Sequence, residues 1–415
     1  MPTMARFVPS PRAALAVLTG LNFLNYLDRF IPAAVLPSMS GQLHMSGAQS
    51  GSLQFAFILT FAIVSPLFGW LGDRRARFPL AAIGVFIWSV ATVASGLATN
   101  YHLLLVARGL TAVGEASYTV VTPSLISDYY PVDRRGRALA LFYAAIPIGS
   151  AVGFMVGGAI NAHWGWRAAF FVAGAPGAAL AALLLMFRDP VRGTFDAVKD
   201  HAPKAAREIS AALRARPSYI YNTVGQVIYT FTVGGLAFWM PTYFVEVRHL
   251  RLEVASFNFG LALVAAGFVG TLIGGQGGDA LARRRADGHF LVSGTAFVAS
   301  LPFTLLAVLH PSPAIFWPAM FMTLLLFFIN TGPLTAAMAN VLPPELRASG
   351  FAVNTMAIHV LGDAPSPLLI GYAKDHVGLA PPVIVTGLLV VVAGLVLLAG
   401  RAALRRDLKA AAVPA

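Results

Sequence analysis

The residues best suited to chemistry in this chain sit inside its most apolar stretches. Asn22, Asn25, Asp28 and Arg29 lie in a first long apolar segment at roughly 14–37. An ionised group in hydrocarbon costs about 3 kcal/mol on insertion scales. On a helix Asn22, Asn25 and Arg29 share a face at i, i+3 and i+7, with Asp28 on its flank. Such a stripe must face other helices or a water-filled cavity. Arg108, Glu115 and Tyr118 recur in the fourth apolar segment. Arg108 and Glu115 are two turns apart, about 10 Å along the axis, which suits them to bracket Asp28 or Arg29. Two acids and two bases then form a set that is formally neutral. Burial pushes a carboxylate towards its neutral form and a nearby arginine pulls it back, so the set reads either as a proton site or as an inert network holding helices together.

A second polar stripe runs through the eleventh segment as Thr355, His359 and Asp363, at i, i+4 and i+8, beside Asn354. His359 and Asp363 share a face and read either as a titrating pair or as a satisfied core histidine. No third or fourth ligand accompanies them, so no metal is expected there. Segment five carries Gly149, Gly153, Gly157 and Gly158, which let two helices approach closely, either as plain packing or as a sliding surface. The loop Gly69-Trp-Leu-Gly72-Asp73-Arg74-Arg75-Ala-Arg77 puts an acid at a helix end and bases after it. That arrangement suits a breakable latch, in which Asp73, Arg74 and Arg77, with Asp279 at the matching position of the second half, make and break charge contacts.

The elements that must position these residues are long helices. The chain has 415 residues, 57% hydrophobic and only 11% charged, with mean hydropathy +0.73, where soluble domains carry about 25% charged residues. Twelve apolar segments are legible, at roughly 14–37, 48–71, 78–98, 102–128, 138–161, 166–187, 218–245, 254–281, 288–309, 314–341, 348–373 and 381–403, each long enough to cross about 30 Å of hydrocarbon. The expected fold is therefore an all-α polytopic membrane protein of twelve transmembrane helices in two six-helix halves, 1–187 and 218–415, joined by a linker at 188–217. Within the linker, Ala205–Leu213 has the pattern of a short amphipathic helix. An even number of spans puts both termini on one side. That side carries 23 Lys and Arg residues, Arg6 among them, against 4 on the other, so termini and linker are expected in the cytoplasm and the protein in the cell (inner) membrane. The net charge of +12 is thus topological, and nucleic acid is not an expected partner.

The halves echo one another. Gly72-Asp73 and Gly278-Asp279 each open a basic loop, and Pro131-Val-Asp133-Arg-Arg135 matches Pro343-Pro-Glu345-Leu-Arg347 at nearly the same offset. Matched loops suggest parallel repeats, as in secondary transporters.

The loop Gly69–Arg77 resembles the signature loop of the major facilitator superfamily. Within that superfamily the chain resembles the Spinster family of lysolipid and sphingosine-phosphate transporters. The residues carrying this are Asn25-Tyr-Leu-Asp-Arg-Phe30 with Val35-Leu-Pro37; Arg108-Gly-Leu and Gly114-Glu-Ala-Ser-Tyr118; Phe142-Tyr-Ala-Ala-Ile-Pro147-Ile-Gly149-Ser; and Leu361-Gly-Asp-Ala364 with Ser366-Pro367 and Leu369-Ile-Gly371. Organic-anion symporters share something like the first motif alone. Ala112 departs from the pattern, which has glycine there. The resemblance implies that Asp28 is a proton-responsive acid partnered by Arg29, Arg108 and Glu115, and that His359 and Asp363 line the cavity from the second half.

Two functions follow as expectations. One is a proton-linked carrier of lipid-like amphipathic anions, with Asp28 and Glu115 coupling protons and Arg29, Arg108, Asn25, Tyr118, His359 and Asp363 binding substrate. The other is a proton-coupled carrier of small organic anions. Phe55, Phe57, Phe61, Tyr118, Phe142, Phe231, Phe238, Trp239, Phe327 and Phe328 offer aromatic surface that favours an acyl chain. An enzyme is not expected: there is no cysteine, no HExxH, no phosphate-binding Gly-Lys loop and no Gly-x-Ser-x-Gly elbow. No cofactor is expected, and the protein is expected to work as a monomer in the lipid bilayer.

Overall fold

A computed structural model of the chain describes residues 7–195 and 206–411. Arg6, and the linker stretch 196–205 with the expected helix start at Ala205, lie outside the described residues. The chain is built from helices, and it divides into two compact units, one of residues 1–199 with 240–261, the other of 200–239 with 262–415.

The first unit contains α1 (Pro11–Gln42), α2 (Gly47–Arg74), α3 (Arg77–Leu97), α4 (Tyr101–Tyr129), α5 (Val132–Trp164) and α6 (Trp166–Leu185). Local chemistry sets several of the starts. Ser10 caps α1, Asn100 caps α4, and Ser46 with Gln49 forms a reciprocal capping box at α2. Helix α1 packs along α5, and α3 packs between α4 and α6. The α1–α5 approach is as close as the glycine spacing predicts: a Cβ on Gly149 would lie 2.5 Å from the Phe23 carbonyl oxygen, and one on Gly153 would lie 2.5 Å from that of Leu27. Phe78, Val85, Trp88, Tyr118, Leu125, Phe142 and Leu184 are buried together in the core of this unit.

Helix α7 (Ala206–Arg214) is the described part of the amphipathic linker helix, with Leu213 buried. It leads into α8 (Pro217–Glu246) and α9 (Leu252–Arg284), whose adjoining ends at 240–261 belong to the first unit. There α9 touches α1 directly, with Ser256 Oγ donating to the Ala34 carbonyl oxygen at 3.3 Å. The remaining elements are α10 (Gly288–Ala299), α11 (Leu301–Leu309), α12 (Pro313–Phe328), α13 (Thr331–Val341), α14 (Pro344–Ala357), a π-helical turn (Ile358–Asp363), α15 (Pro365–Val377), α16 (Ala380–Ala399) and α17 (Arg401–Ala411). Joining α10 to α11, α12 to α13, and α14 through the π turn to α15 gives twelve spans, six on either side of α7. Phe290, Phe297, Phe327, Leu334, Val390 and Leu397 anchor the core of the second unit.

Among the described residues, eight helical stretches are long and apolar enough to cross a membrane on length and composition. The spans outside that group are α1, α4, α8 and the broken helix α14–α15; α1, α4 and α14–α15 carry the polar stripes read from the sequence. Ile63, Leu67, Phe86, Val90 and Val106 are exposed on helix surfaces; a bilayer satisfies such apolar surface, whereas water does not.

Candidate functional site

In the first unit α1 delivers two adjacent charges to two different neighbours. Consecutive residues on a helix point about 100° apart, so Asp28 turns to α3 and Arg29 to α4. Asp28 is fully buried, and its Oδ2 accepts from Trp88 Nε1 at 2.7 Å and from Thr92 Oγ1 at 2.6 Å. Arg29 Nη2 lies 2.7 Å from Glu115 Oε2, and its Nε lies 3.2 Å from the same oxygen. The Arg29 guanidinium also faces the rings of Tyr26, Phe57 and Phe61 at 4.8–5.2 Å.

Arg108 is the unusual member. It is 1% exposed and stands 4.5 Å over the Phe57 ring, and its Nε and Nη2 have no hydrogen-bond partner. No hydrogen bond joins its Nε or Nη2 to Asp28 or Glu115. Asp28 Oδ1, Glu115 Oε1 and both side-chain polar atoms of Asn25 are likewise buried without partners. A buried polar group left unpaired costs about 1–3 kcal/mol, so a cluster of such groups reads as a binding site rather than as a stabilising device. Arg108 and Asn25 bring unpaired donors and Asp28 and Glu115 unpaired acceptors to the same helical unit, the groups that binding an anion and exchanging a proton require. The charges are not dispersed because α3 and α4 touch backbone to backbone: a Cβ on Gly114 would lie 2.4 Å from the Gly84 carbonyl oxygen. That contact sets Trp88 and Thr92 against α1. Ala112 is fully buried and accommodated in α4.

Tyr118, expected as a substrate contact, is instead a core residue. It is fully buried, its ring lies 6.5 Å from that of Trp88, and its hydroxyl donates to the Leu18 carbonyl oxygen. The aromatic surface is likewise smaller than expected, because Phe142, Phe238, Trp239 and Phe327 are buried core side chains. Trp88, Thr92 and the role of Phe57 beneath two guanidiniums were missed. Trp88 and Thr92 carried a usable signal, since two side chains with hydrogen-bond donors stand four apart on one face of a mostly apolar helix.

In the second unit His359 Nδ1 lies 3.0 Å from Asp363 Oδ2. Both sit in the π-helical turn, where the Ala364 N–H reaches back to the His359 carbonyl oxygen. Pro365 has no N–H to offer Leu361 and its ring crowds that carbonyl, so the helix widens before it. Asp363 presses against α8, where a Cβ on Gly234 would lie 2.4 Å from its Cβ. Nearby, Asn354 Nδ2 donates to Gln226 Oε1 at 3.4 Å, Gln226 Nε2 to Asn222 Oδ1 at 2.7 Å, and Asn222 Nδ2 to the Leu334 carbonyl oxygen at 2.8 Å.

The basic loop after α2 splits the expected latch residues. Asp73 is exposed, and its carboxylate has no partner among the described residues. Arg74 is exposed and stacks on Trp70 at 4.4 Å. Asp279 is exposed as well. Arg77 differs from these: it is 5% exposed and bound to Asp128, Asp189 and Ser124 of its own unit.

Comparison with known proteins agrees with this architecture. Residues 18–367 match the family model described as Major Facilitator Superfamily. The chain is 33% identical to human Protein spinster homolog 1 over 88% of this chain and 74% of that one. It is 32% identical to zebrafish (Danio rerio) Protein spinster homolog 3 over 87% and 76%. Among solved structures, it resembles a bacterial homologue of the human lysosomal transporter Spinster in an inward-facing and occupied conformation, with a TM-score of 0.86 and 22% identity over 97% of this chain and 99% of that one. It also resembles a D-xylose–proton symporter, with a TM-score of 0.69 and 16% identity over 92% and 96%. Twelve spans in two halves, a buried Asp-Arg-Arg-Glu cluster and these relatives together make the chain a member of the major facilitator superfamily, a transporter of the Spinster type and not an enzyme.

Proposed function

We propose that this Spinster-type transporter is a proton-linked, alternating-access carrier of amphipathic anions with a single acyl chain, such as lysophospholipids or sphingosine-phosphate-like molecules. The observation that carries the reading is Arg108: a fully buried guanidinium with Nε and Nη2 unpartnered, held over Phe57 in a unit that also buries unpaired carboxylate oxygens of Asp28 and Glu115. A guanidinium fork matches a phosphate or carboxylate. Arg29 is the second base, and an anion entering there competes with Glu115 for it. Asn25 adds an amide donor. When the anion draws Arg29 away, Glu115 loses its partner and takes up a proton more readily, which links substrate to proton. Asp28 is the second proton-coupling acid. In the second unit the His359–Asp363 pair is the candidate substrate-binding group. The narrowing to lysolipids comes from the family alone. The protein is proposed to act as a monomer in the cell (inner) membrane, with both termini in the cytoplasm, and Asp73 is proposed to bias it towards the state closed to the cytoplasm.

Calorimetric binding to the purified protein tests the head-group assignment. Arg108→Ala should weaken an anionic lysophospholipid by about tenfold or more and change a neutral monoacylglycerol much less. Arg29→Ala should behave in the same sense. Equal losses for the two ligands in both variants would remove the arginines from the head-group site. A short hydrophilic carboxylate that binds as well as the lysolipid would favour the small organic-anion carrier instead.

A further inference from the structure

The segment that leaves α6 folds back across the loop between α2 and α3 and closes both helix ends. Arg192 donates from Nη1 to the Asp73 carbonyl oxygen, and from Nη2 to those of Gly72, at 2.8 Å, and Arg75. Gly72 and Asp73 lie in the last turn of α2, where carbonyls have no partner within the helix, and Arg75 is its C-cap; a guanidinium complements the negative end of a helix. Three residues earlier, Asp189 accepts from the backbone N–H of Arg77 at 2.6 Å and of Phe78 at 2.9 Å. Those groups open α3, whose N-cap, Ala76, offers no side chain for capping. One short strap thus brings a base to a negative helix end and an acid to a positive one. Gly193 completes it. At φ +66° it adopts a conformation that favours glycine, and its N–H donates to Asp128 Oδ1 at 2.9 Å. The other oxygen of Asp128 holds Arg77, which also reaches Asp189. The backbone of Gly72–Arg75 is therefore fixed from outside while the Asp73 carboxylate stays exposed.

The second unit closes the corresponding place differently. Asp287, just before α10, pairs with Arg401 at the start of α17 at 2.7 Å, with the signs of the charges exchanged relative to Arg77 and Asp189. Helix α17 begins at Arg401, directly after α16, so no extended strap intervenes.

We propose that Arg192 is a positioning residue for transport: by gripping the carbonyls of Gly72, Asp73 and Arg75 it holds the Asp73 carboxylate where it biases the cytoplasm-closed state. This rests on the reading of Asp73 as a latch. A double-mutant cycle on the full-length protein in nanodiscs tests it, with spin-label distances between cytoplasmic helix ends reporting the inward-open fraction. Asp73→Asn and Arg192→Ala should each shift the inward-open to outward-open ratio by about fivefold or more. The double variant should shift it no further than either alone, because residues acting through one contact are not additive. Arg192→Lys, whose compact ammonium does not span three carbonyls, should not restore the wild-type ratio, and it completes the cycle if Arg192→Ala does not fold. A shift in Asp73→Asn with none in the Arg192 variants, or shifts that add in the double variant, would overturn the role of Arg192. No shift in Asp73→Asn itself would sink the latch reading, and this role with it.

Discussion

Asp28 and Glu115 are both buried acids, yet their surroundings differ in a way that gives each its own test. Asp28 accepts two neutral donors, Trp88 and Thr92, whereas Glu115 accepts the charged Arg29. Replacing Thr92 with Val removes one donor to the charged form of Asp28 and favours its protonated form. The pH at which conformational populations change should therefore rise in Thr92→Val if Asp28 is the responsive acid. Conformational populations should lose pH dependence in Asp28→Asn or in Glu115→Gln, and double electron–electron resonance across a pH series reads this out. An unchanged response in both variants and in their combination would make the acids structural. The charged residues of the cluster were legible because charge in an apolar segment is conspicuous. Which acid met which base was not, because it depends on the 100° between adjacent side chains and on which neighbour fills each direction. Tyr118 misled for the same reason. Three residues beyond Glu115, it points into the core and satisfies the Leu18 carbonyl oxygen.

Helix existence and span number followed from hydrophobic length, and prolines such as Pro365 marked where helices bend, while the π-helical form of the break did not follow. The π-helical turn at Ile358–Asp363 arises from Pro365 acting on the turn before it, and apolar periodicity carries no trace of it. Glycine spacing did foretell a close approach on α5, but neither that α1 makes it nor the α3–α4 contact at Gly84 and Gly114, since both need the crossing point of two helices, which one sequence does not reveal. Gly114→Leu should push α3 from α4, detach Trp88 and Thr92 from Asp28, and lower the thermal stability by about 2–4 kcal/mol, because overpacking here meets backbone rather than a movable side chain. Retained stability would show that the crossing yields. At the base of α10, burial alone raises the Asp287 carboxyl, but the hydrogen bond and charge of Arg401, then those of Arg285, outweigh it and hold the group below its ordinary value. A carboxyl depressed on folding contributes stability above its unfolded pKa, near 3.9, and loses it as pH falls through the lower folded value. The melting-temperature gap between the wild type and Asp287→Asn should thus be full at neutral pH and shrink only below about pH 4; a gap independent of pH would exclude this clamp as its source.

For the whole molecule, the arrangement of Lys and Arg is what predicts the orientation in the membrane. Cysteines introduced into α7, otherwise absent from the chain, should react with an impermeant thiol reagent only from the cytoplasmic face; labelling from outside alone would invert the orientation. The distribution of charge and the repeat of Gly72-Asp73 at Gly278-Asp279 made the two-half plan legible, because both are properties of the sequence itself. The grouping of 240–261 with the first unit was not, since it depends on contacts such as Ser256 with Ala34 that join residues far apart in the chain. Transport by the purified protein in vesicles tests the substrate assignment. Uptake of labelled anionic lysophospholipids should exceed that of short hydrophilic carboxylates, rise with acyl length to a plateau as each buried methylene adds about 0.8 kcal/mol, respond to an imposed pH gradient, and fall in Arg108→Ala. Transport of a short carboxylate with no response to lysolipids of any length would contradict the account.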